Sequence, residues 1–262
     1  MIASTGEEST VSVDRMDDGT IAVVTLNRPD RRNAINQHLC DSLARIFREL
    51  QEDSGVRAVI LTGRGRSFCA GIDLANPVDA VQQASGGSEG NPVRAMDDFT
   101  RPIIGAINGA AVTGGFELAL ACDILIGSPR ARFQDTHCFV GVVPCWGLSQ
   151  KLSRTVGPVR ARLASLTASS IDATTAAEWG LLAKVVEGDG EELLDASVEL
   201  ARAIAGLNGP VVEAYKATLN DGFRMPLGEG LRLEQQRALQ QYSSLGQTTI
   251  AGRADGALKS KL

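Results

Sequence analysis

Two turns rich in small residues, and one glutamate, are where this 262-residue chain could do chemistry. One turn runs Asn108-Gly109-Ala110-Ala111-Val112-Thr113-Gly114-Gly115-Phe116-Glu117-Leu118. A strand ends there, small residues turn the chain, and a helix begins near Gly114. Amides at a helix start lack intrahelical partners and sit at the positive end of the dipole, so they can hold a developing anion. Glu117 follows Gly114 by three, which puts its carboxylate on the same helix face, roughly one turn away. The residues from Leu118 to Cys122 are apolar, so a glutamate there is costly to bury without a task or a partner. A structural ion pair is the alternative reading. The other turn, Ser67-Phe68-Cys69-Ala70-Gly71-Ile72-Asp73-Leu74, follows a strand and the sequence Gly63-Arg64-Gly65. Its small residues would let backbone N–H groups face a ligand at close range, or simply close a tight turn.

The elements that must position these turns follow from hydrophobic patterning. Val11 to Asp14 and Ile21 to Leu26 read as strands joined by Asp17-Asp18-Gly19, which supplies hairpin turn chemistry. From Ile35 the apolar positions Ile35, Leu39, Leu43, Ile46 and Leu50 recur at helical spacing. Arg57 to Thr62, Pro102 to Asn108 and Ile124 to Ile126 read as further strands rich in β-branched residues. Ala75 to Asp98 has little periodicity and contains Gly86-Gly87 and Gly90, as a lid or flap would. After about Ala205 the pattern is helical only, with one helix starting at Leu207-Asn208-Gly209-Pro210 and another from Leu227 to Tyr242. The alternation predicts an α/β (α+β) core of repeated ββα units with parallel crossovers over residues 1–205, and a helical segment over 206–262.

Composition removes several function classes. The net charge is −5 and the pI about 5.2, which leaves no electrostatic footprint for nucleic acid or an acidic membrane surface. Five cysteines without a C-x-x-C pair read as buried, reduced thiols. Met1 to Thr5 lacks the basic and apolar regions of a signal peptide, and no apolar run approaches a membrane span. There is no Walker loop, no H-E-x-x-H and no Cys/His cluster, so neither metal nor prosthetic group is expected. Ser260-Lys261-Leu262 matches the peroxisomal import tripeptide when C-terminal. Its reader would be a peroxisomal import receptor in a eukaryotic host; otherwise a cytoplasmic location is expected.

Five segments in register carry a resemblance. Arg28-Pro29-Asp30-Arg31-Arg32-Asn33-Ala34, Phe68 to Leu74, Asn108-Gly109 leading to Gly114-Gly115-Phe116-Glu117-Leu118, Cys122-Asp123-Ile124, and Gly141-Val142-Val143-Pro144 resemble the signature segments of the enoyl-CoA hydratase/isomerase (crotonase) superfamily. The order and spacing hold from about Val11 to Val186. The resemblance implies a crotonase-like spiral of ββα units with two sheets, a C-terminal helical segment that builds a trimer or a hexamer of paired trimers, and an acyl-CoA thioester substrate. Coenzyme A would enter only as part of that substrate. The Arg28 to Ala34 segment would line the CoA site, with Arg28, Arg31, Ala34, Ala70, Ile72, Asp73, Leu74 and Gly114 touching substrate. The amides of Ile72 and Gly114 would form the oxyanion hole for a thioester enolate, in keeping with both turns as anion-binding backbone.

One departure stands out against the family pattern of two glutamates. Glu117 occupies the first position, but an ungapped alignment of Arg132 to Gly141 puts His137 at the second. Histidine titrates near neutrality and can serve as acid or base. The other histidine, His38, reads as a surface or packing residue. Asp135, two residues before His137, is a rival acid or a hydrogen-bonding partner, on the same face if both lie in a strand. The expected activity is hydration of a trans-2-enoyl-CoA to a 3-hydroxyacyl-CoA with Glu117 and His137 as catalytic pair. The alternatives are an isomerase or decarboxylase using a single glutamate, and a catalytically weak acyl-CoA-binding protein.

Overall fold

The computed structural model describes residues 9–73, 90–188 and 190–244. Strands β1 (Val11–Met16) and β2 (Ile21–Leu26) form an antiparallel hairpin, Val11 opposite Leu26. Strands β3 (Ala58–Gly63), β5 (Ile103–Ile107), β7 (Ile124–Gly127) and β10 (Lys184–Val185) extend it in parallel to a six-stranded sheet, ordered β1-β2-β3-β5-β7-β10. After each of β3, β5 and β7 the chain turns a corner into a second sheet. There β4 (Ser67–Cys69), β6 (Ala110–Val112) and β8 (Arg132–Gln134) pair in parallel, and β9 (Ser170–Asp172) closes the edge antiparallel to β8. Ten α-helices lie among the described residues. They are α1 (Gln37–Glu52), α2 (Pro92–Asp97), α3 (Gly114–Leu120), α4 (His137–Val140), α5 (Leu148–Val156), α6 (Pro158–Thr167), α7 (Ala173–Glu178), α8 (Gly190–Ala205), α9 (Gly209–Gly222) and α10 (Leu227–Ser244). The succession β3-β4-α2, β5-β6-α3, β7-β8-α4 is the expected spiral of ββα units. No helix among the described residues is long and apolar enough to cross a membrane.

The large sheet is buried on both faces. Ala22, Val24, Leu26, Val59, Leu61, Ile103 and Ile107 share one core with Leu39, Leu43, Phe47 and Leu50 of α1. Ile21, Val23, Ala58, Ile60, Ile104, Ala106 and Ile126 share the other with Leu193, Val198 and Ala201 of α8. Two-sided burial is why these strands read as unbroken apolar runs rather than alternating ones.

Two asparagines hold the corners between the sheets. Asn33 is fully buried; its side-chain amide donates to the carbonyls of Arg64, Ser67 and Phe68, and its Oδ1 accepts from the Arg28 N–H at 2.9 Å. Asn108 donates to the Gly65 carbonyl at 2.8 Å and accepts from the Gly63 N–H at 3.3 Å. Carbonyls that leave one sheet before entering the next have no ladder partner, and these amides supply one.

Several boundaries differ from expectation. The first helix begins at Gln37, capped by Asn36, whose side chain accepts from the Leu39 N–H at 2.9 Å. Ile35 lies outside it and bridges Ile72, because a residue ahead of the cap is free to pair. Of the aperiodic segment Ala75 to Asp98, residues 75–89 lie outside the described residues, and Pro92–Asp97 is helical, capped by Asn91 with proline in its first turn. Only Cys40 and Cys69 are fully buried; Cys122 is half-buried, Cys138 and Cys145 are exposed, and all five are free.

The chain divides into two compact units at Gly209–Pro210. Within the second, Arg237 of α10 pairs with Asp221 of α9 at 2.5 Å, and Gly222 and Gly230 let the two backbones come close. Tyr215, Leu219, Phe223, Leu231, Leu239 and Tyr242 are exposed.

Asn33→Ala should destabilise the protein by ~2–4 kcal/mol, from orphaned buried carbonyls and an alanine forced into a left-handed backbone. Urea unfolding checks this; a loss under ~1 kcal/mol would mean the corner does not depend on that amide.

Candidate active site

The two small-residue turns meet. The Ile35 N–H donates to the Gly71 carbonyl at 2.7 Å and the Asp73 N–H to the Ile35 carbonyl at 2.8 Å, so Ile72 is held between two backbone hydrogen bonds. Gly71 has φ +87°, and a Cβ there would stand 2.7 Å from the Val112 carbonyl oxygen, so glycine is required on both counts. A Cβ on Gly114 would stand 3.1 Å from Ile35 Cδ1 and 3.7 Å from both Ile72 Cγ1 and Trp146 Cζ3, which puts Gly114 beside Ile72. Among the described residues, neither the Ile72 nor the Gly114 amide has a carbonyl partner. Thr113 just before it has φ 50° and ψ −108°, a strained backbone for a β-branched residue. Its hydroxyl is tied to that of Thr136, and its N–H donates to the Gln134 carbonyl at 2.8 Å, which over-determines the turn.

Glu117 lies on the first turn of α3 and is 2 % exposed. Its Oε1 accepts from the Trp146 N–H at 2.8 Å and the Leu148 N–H at 3.3 Å, both from the start of α5 and the loop before it. Its Oε2 faces His137 Nε2 at 3.8 Å. The buried His137 opens α4, and its Nδ1 is 2.6 Å from Asp135 Oδ1, which also accepts the His137 backbone N–H at 3.1 Å. The Ser165 side chain of α6 lies beside Asp135 and favours its charged form. A row of buried titratable groups, Asp135–His137–Glu117, is thus linked to the Gly114 turn through Trp146, whose N–H bonds Glu117 and whose ring lies near Gly114. β8 stops at Gln134, so Asp135 and His137 do not share a strand face as expected. The backbone between them folds back so that the carboxylate caps its own histidine.

Burial raises the proton affinity of Glu117, and Asp135 adds to this. The Trp146 and Leu148 amides and His137 pull the other way, and burial wins. Burial also pushes Asp135 up, but hydrogen bonds from the His137 ring, Ser165 and the His137 backbone outweigh it and hold Asp135 below the usual carboxylate range. Burial raises the Cys69 thiol to about 12, which makes it inert. The thiol of the exposed Cys145 is raised as well, by partial desolvation of its sulfur and then by the Glu117 carboxylate.

Arg28 does not face outward from the Arg28 to Ala34 segment. Its guanidinium bonds the Ala34 carbonyl and pairs with Asp73 at 3.1 Å, tying this segment to the Ile72 turn. The Ala70 N–H donates to the Arg32 carbonyl at 3.0 Å, so the two segments run together. Arg31 is exposed, and Leu74 lies outside the described residues. His38 is exposed, as a surface residue would be. Sequence reasoning missed the amide pair on Glu117, and the nearest signal for it was the Trp146-Gly147-Leu148 turn. It also missed Ser165, which nothing in the sequence pointed to.

Glu117→Gln retains the Oε1 contacts and removes a buried charge, so it should raise the melting temperature above neutral pH by about 2–4 °C, or ~1 kcal/mol. Because the folded state binds the Glu117 proton more tightly, the ionised form is the destabilised one. The gap should therefore close as pH falls through the raised pKa. Melting curves that coincide at every pH would contradict the buried charge.

The enoyl-CoA hydratase/isomerase family model matches residues 17–249. The chain is 43 % identical to probable enoyl-CoA hydratase 1, peroxisomal, of Arabidopsis thaliana over 95 % of this chain and 96 % of the relative. It is 38 % identical to the short-chain-enoyl-CoA hydratase of Clostridium acetobutylicum over 84 % of this chain and 85 % of the relative. The enoyl-CoA hydratase structure from Bacillus anthracis superposes with a TM-score of 0.83 at 29 % identity, covering 96 % of each chain. With the spiral, the paired turns and the match to the family model in agreement, the chain belongs to the enoyl-CoA hydratase/isomerase family.

Proposed function

We propose that the protein is an enoyl-CoA hydratase that adds water across the double bond of a trans-2-enoyl-CoA. The carrying observation is Glu117, buried, held at Oε1 by two amides and facing His137 across 3.8 Å, beside two amides with no carbonyl partner. In this reading the thioester oxygen accepts from the Ile72 and Gly114 amides, each worth ~10²–10³ in rate as enolate charge develops. Glu117 Oε2 takes a proton from water while the oxygen bonds C3, and the C2–C3 π electrons move onto the thioester. His137 Nε2 gives its proton to C2. Glu117 then holds one extra proton and His137 lacks one, and passing it from Oε2 to Nε2 resets the pair.

Two facing acid–base groups support hydration, which moves two protons, over isomerisation or decarboxylation by a single glutamate. The relatives named as hydratases support it too. An intact Glu117 speaks against a pocket that only binds. No cofactor enters this chemistry beyond the CoA of the substrate. Arg31, Ala34 and Ala70 would line the CoA site, while the Arg28–Asp73 pair would hold Ile72 in place. Peroxisomal location through Ser260-Lys261-Leu262, which lies outside the described residues, is supported by the name of the Arabidopsis relative.

Given a panel of trans-2-enoyl-CoAs, the purified protein should release 3-hydroxyacyl-CoA. Glu117→Gln should lower turnover by ~10²–10⁴, the range for a positioned acid–base group. A wild-type protein that returns only a shifted double bond, or a Glu117→Gln variant with wild-type turnover, would overturn the reading. The exposed Tyr215, Phe223 and Leu231 support helices α9 and α10 as the segment that packs on other copies. Light scattering should give a trimer or hexamer, and a monomer at micromolar concentration would contradict this role.

A further inference from the structure

We infer that Asp135, braced by Ser165, is a positioning residue that fixes which nitrogen of His137 works on the substrate, and so makes a histidine serviceable where a second glutamate would stand. The inference deepens the hydratase reading and rests on it. Asp135 Oδ1 takes two hydrogen bonds from one residue, Nδ1 of the ring at 2.6 Å and the backbone N–H at 3.1 Å. A carboxylate accepts only, so Nδ1 must carry its proton in both charge states of the ring. That leaves Nε2 as the nitrogen that gains and loses a proton, and Nε2 is the one facing Glu117. Ser165 comes from α6, a different element, and its side chain beside Asp135 favours the charged carboxylate that accepts from the imidazole.

Asp135 also fixes where the ring sits among the site's groups. The charged groups facing the imidazole are Asp135 on its own loop and Glu117 from α3. With Nδ1 bonded to Asp135, Nε2 is aimed at Glu117 and is placed to give its proton to C2 while Glu117 Oε2 takes the proton from water. Because Asp135 acts through His137, its loss should lower kcat and leave KM nearly alone.

The test is Asp135→Asn, which keeps size and a carbonyl oxygen but removes the charge. The expected result is a kcat reduced ~10²–10⁴-fold with KM within about threefold of wild type, by analogy with carboxylates that orient a catalytic imidazole. Ser165→Ala should give a smaller loss in the same direction. An Asp135→Asn enzyme with unchanged kcat, or one whose loss falls on KM rather than kcat, would overturn the inference. The unmutated protein gives a second readout that needs no variant to fold. With only two histidines in the chain, imidazole-nitrogen NMR should show one ring with Nδ1 protonated across the accessible pH range. A bare Nδ1 on His137 would equally defeat it. If wild type fails to hydrate any enoyl-CoA, the hydratase reading falls, while the NMR result still tests the Asp135–His137 geometry.

Discussion

A carboxylate taken out of water keeps its charge only where fixed donors replace the hydration it loses, and the interior of this protein is built around one such group. Glu117 sits on a short helix among Phe116, Leu118 and Ala119, all fully buried. The replacement donors come from a segment almost thirty residues on, the amides of Trp146 and Leu148. A displacement of either segment would leave a buried carboxylate without its donors. That requirement couples the third ββα turn to the second, and it explains why so much hydrogen bonding converges on the corners between the sheets. Asn33, Asn108, the Thr113–Thr136 tie and the Arg28–Asp73 pair all fix loops that leave one sheet and enter the other.

The spiral suits this because it delivers loop ends to the same place on successive turns. β4 and β6 are parallel neighbours, so the turn after β4 and the helix after β6 start side by side. That brings the Ile72 and Gly114 amides together although 42 positions of sequence separate them. β8 is the next parallel neighbour, and the turn after it carries Asp135 and His137 to the far side of Glu117. Backbone donors on one side and titratable side chains on the other are what enolate chemistry needs: stabilised negative charge, and groups that move protons at the adjacent carbons.

Much of this was legible in the residues. Buried parallel strands announce themselves as runs of β-branched residues, which is why β2, β3 and β5 were placed within a residue or two. The Gly114 helix start and the misfit of Glu117 in an apolar stretch were local facts. Helices α6 and α7 bury little beyond alanines and so leave no apolar stripe to read, whereas α5, with Leu148, Leu152 and Val156 at helical spacing, and α8 carry a stripe that the sequence does show. The strands of the small sheet are three residues long and depend on partners far away, so no local pattern marks them. The spacing of Asp135 and His137 predicts a hydrogen bond across a shared strand face; the bond forms, but from a helix start that folds the carboxylate back onto its own histidine. Ser165 could not be found, because its role arises only once α6 packs beside the loop that follows β8.

The central claim is that Glu117 and His137 together add water across a double bond, the first taking a proton from it and the second giving one to C2. Isotope labelling tests this most directly. Run with a trans-2-enoyl-CoA in heavy-oxygen water and deuterium oxide, the enzyme should place one heavy oxygen at C3 and one deuterium at C2 in each product molecule. Deuterium at C2 or C4 without oxygen at C3 would show that the pair only moves protons along the chain, and the account would be wrong.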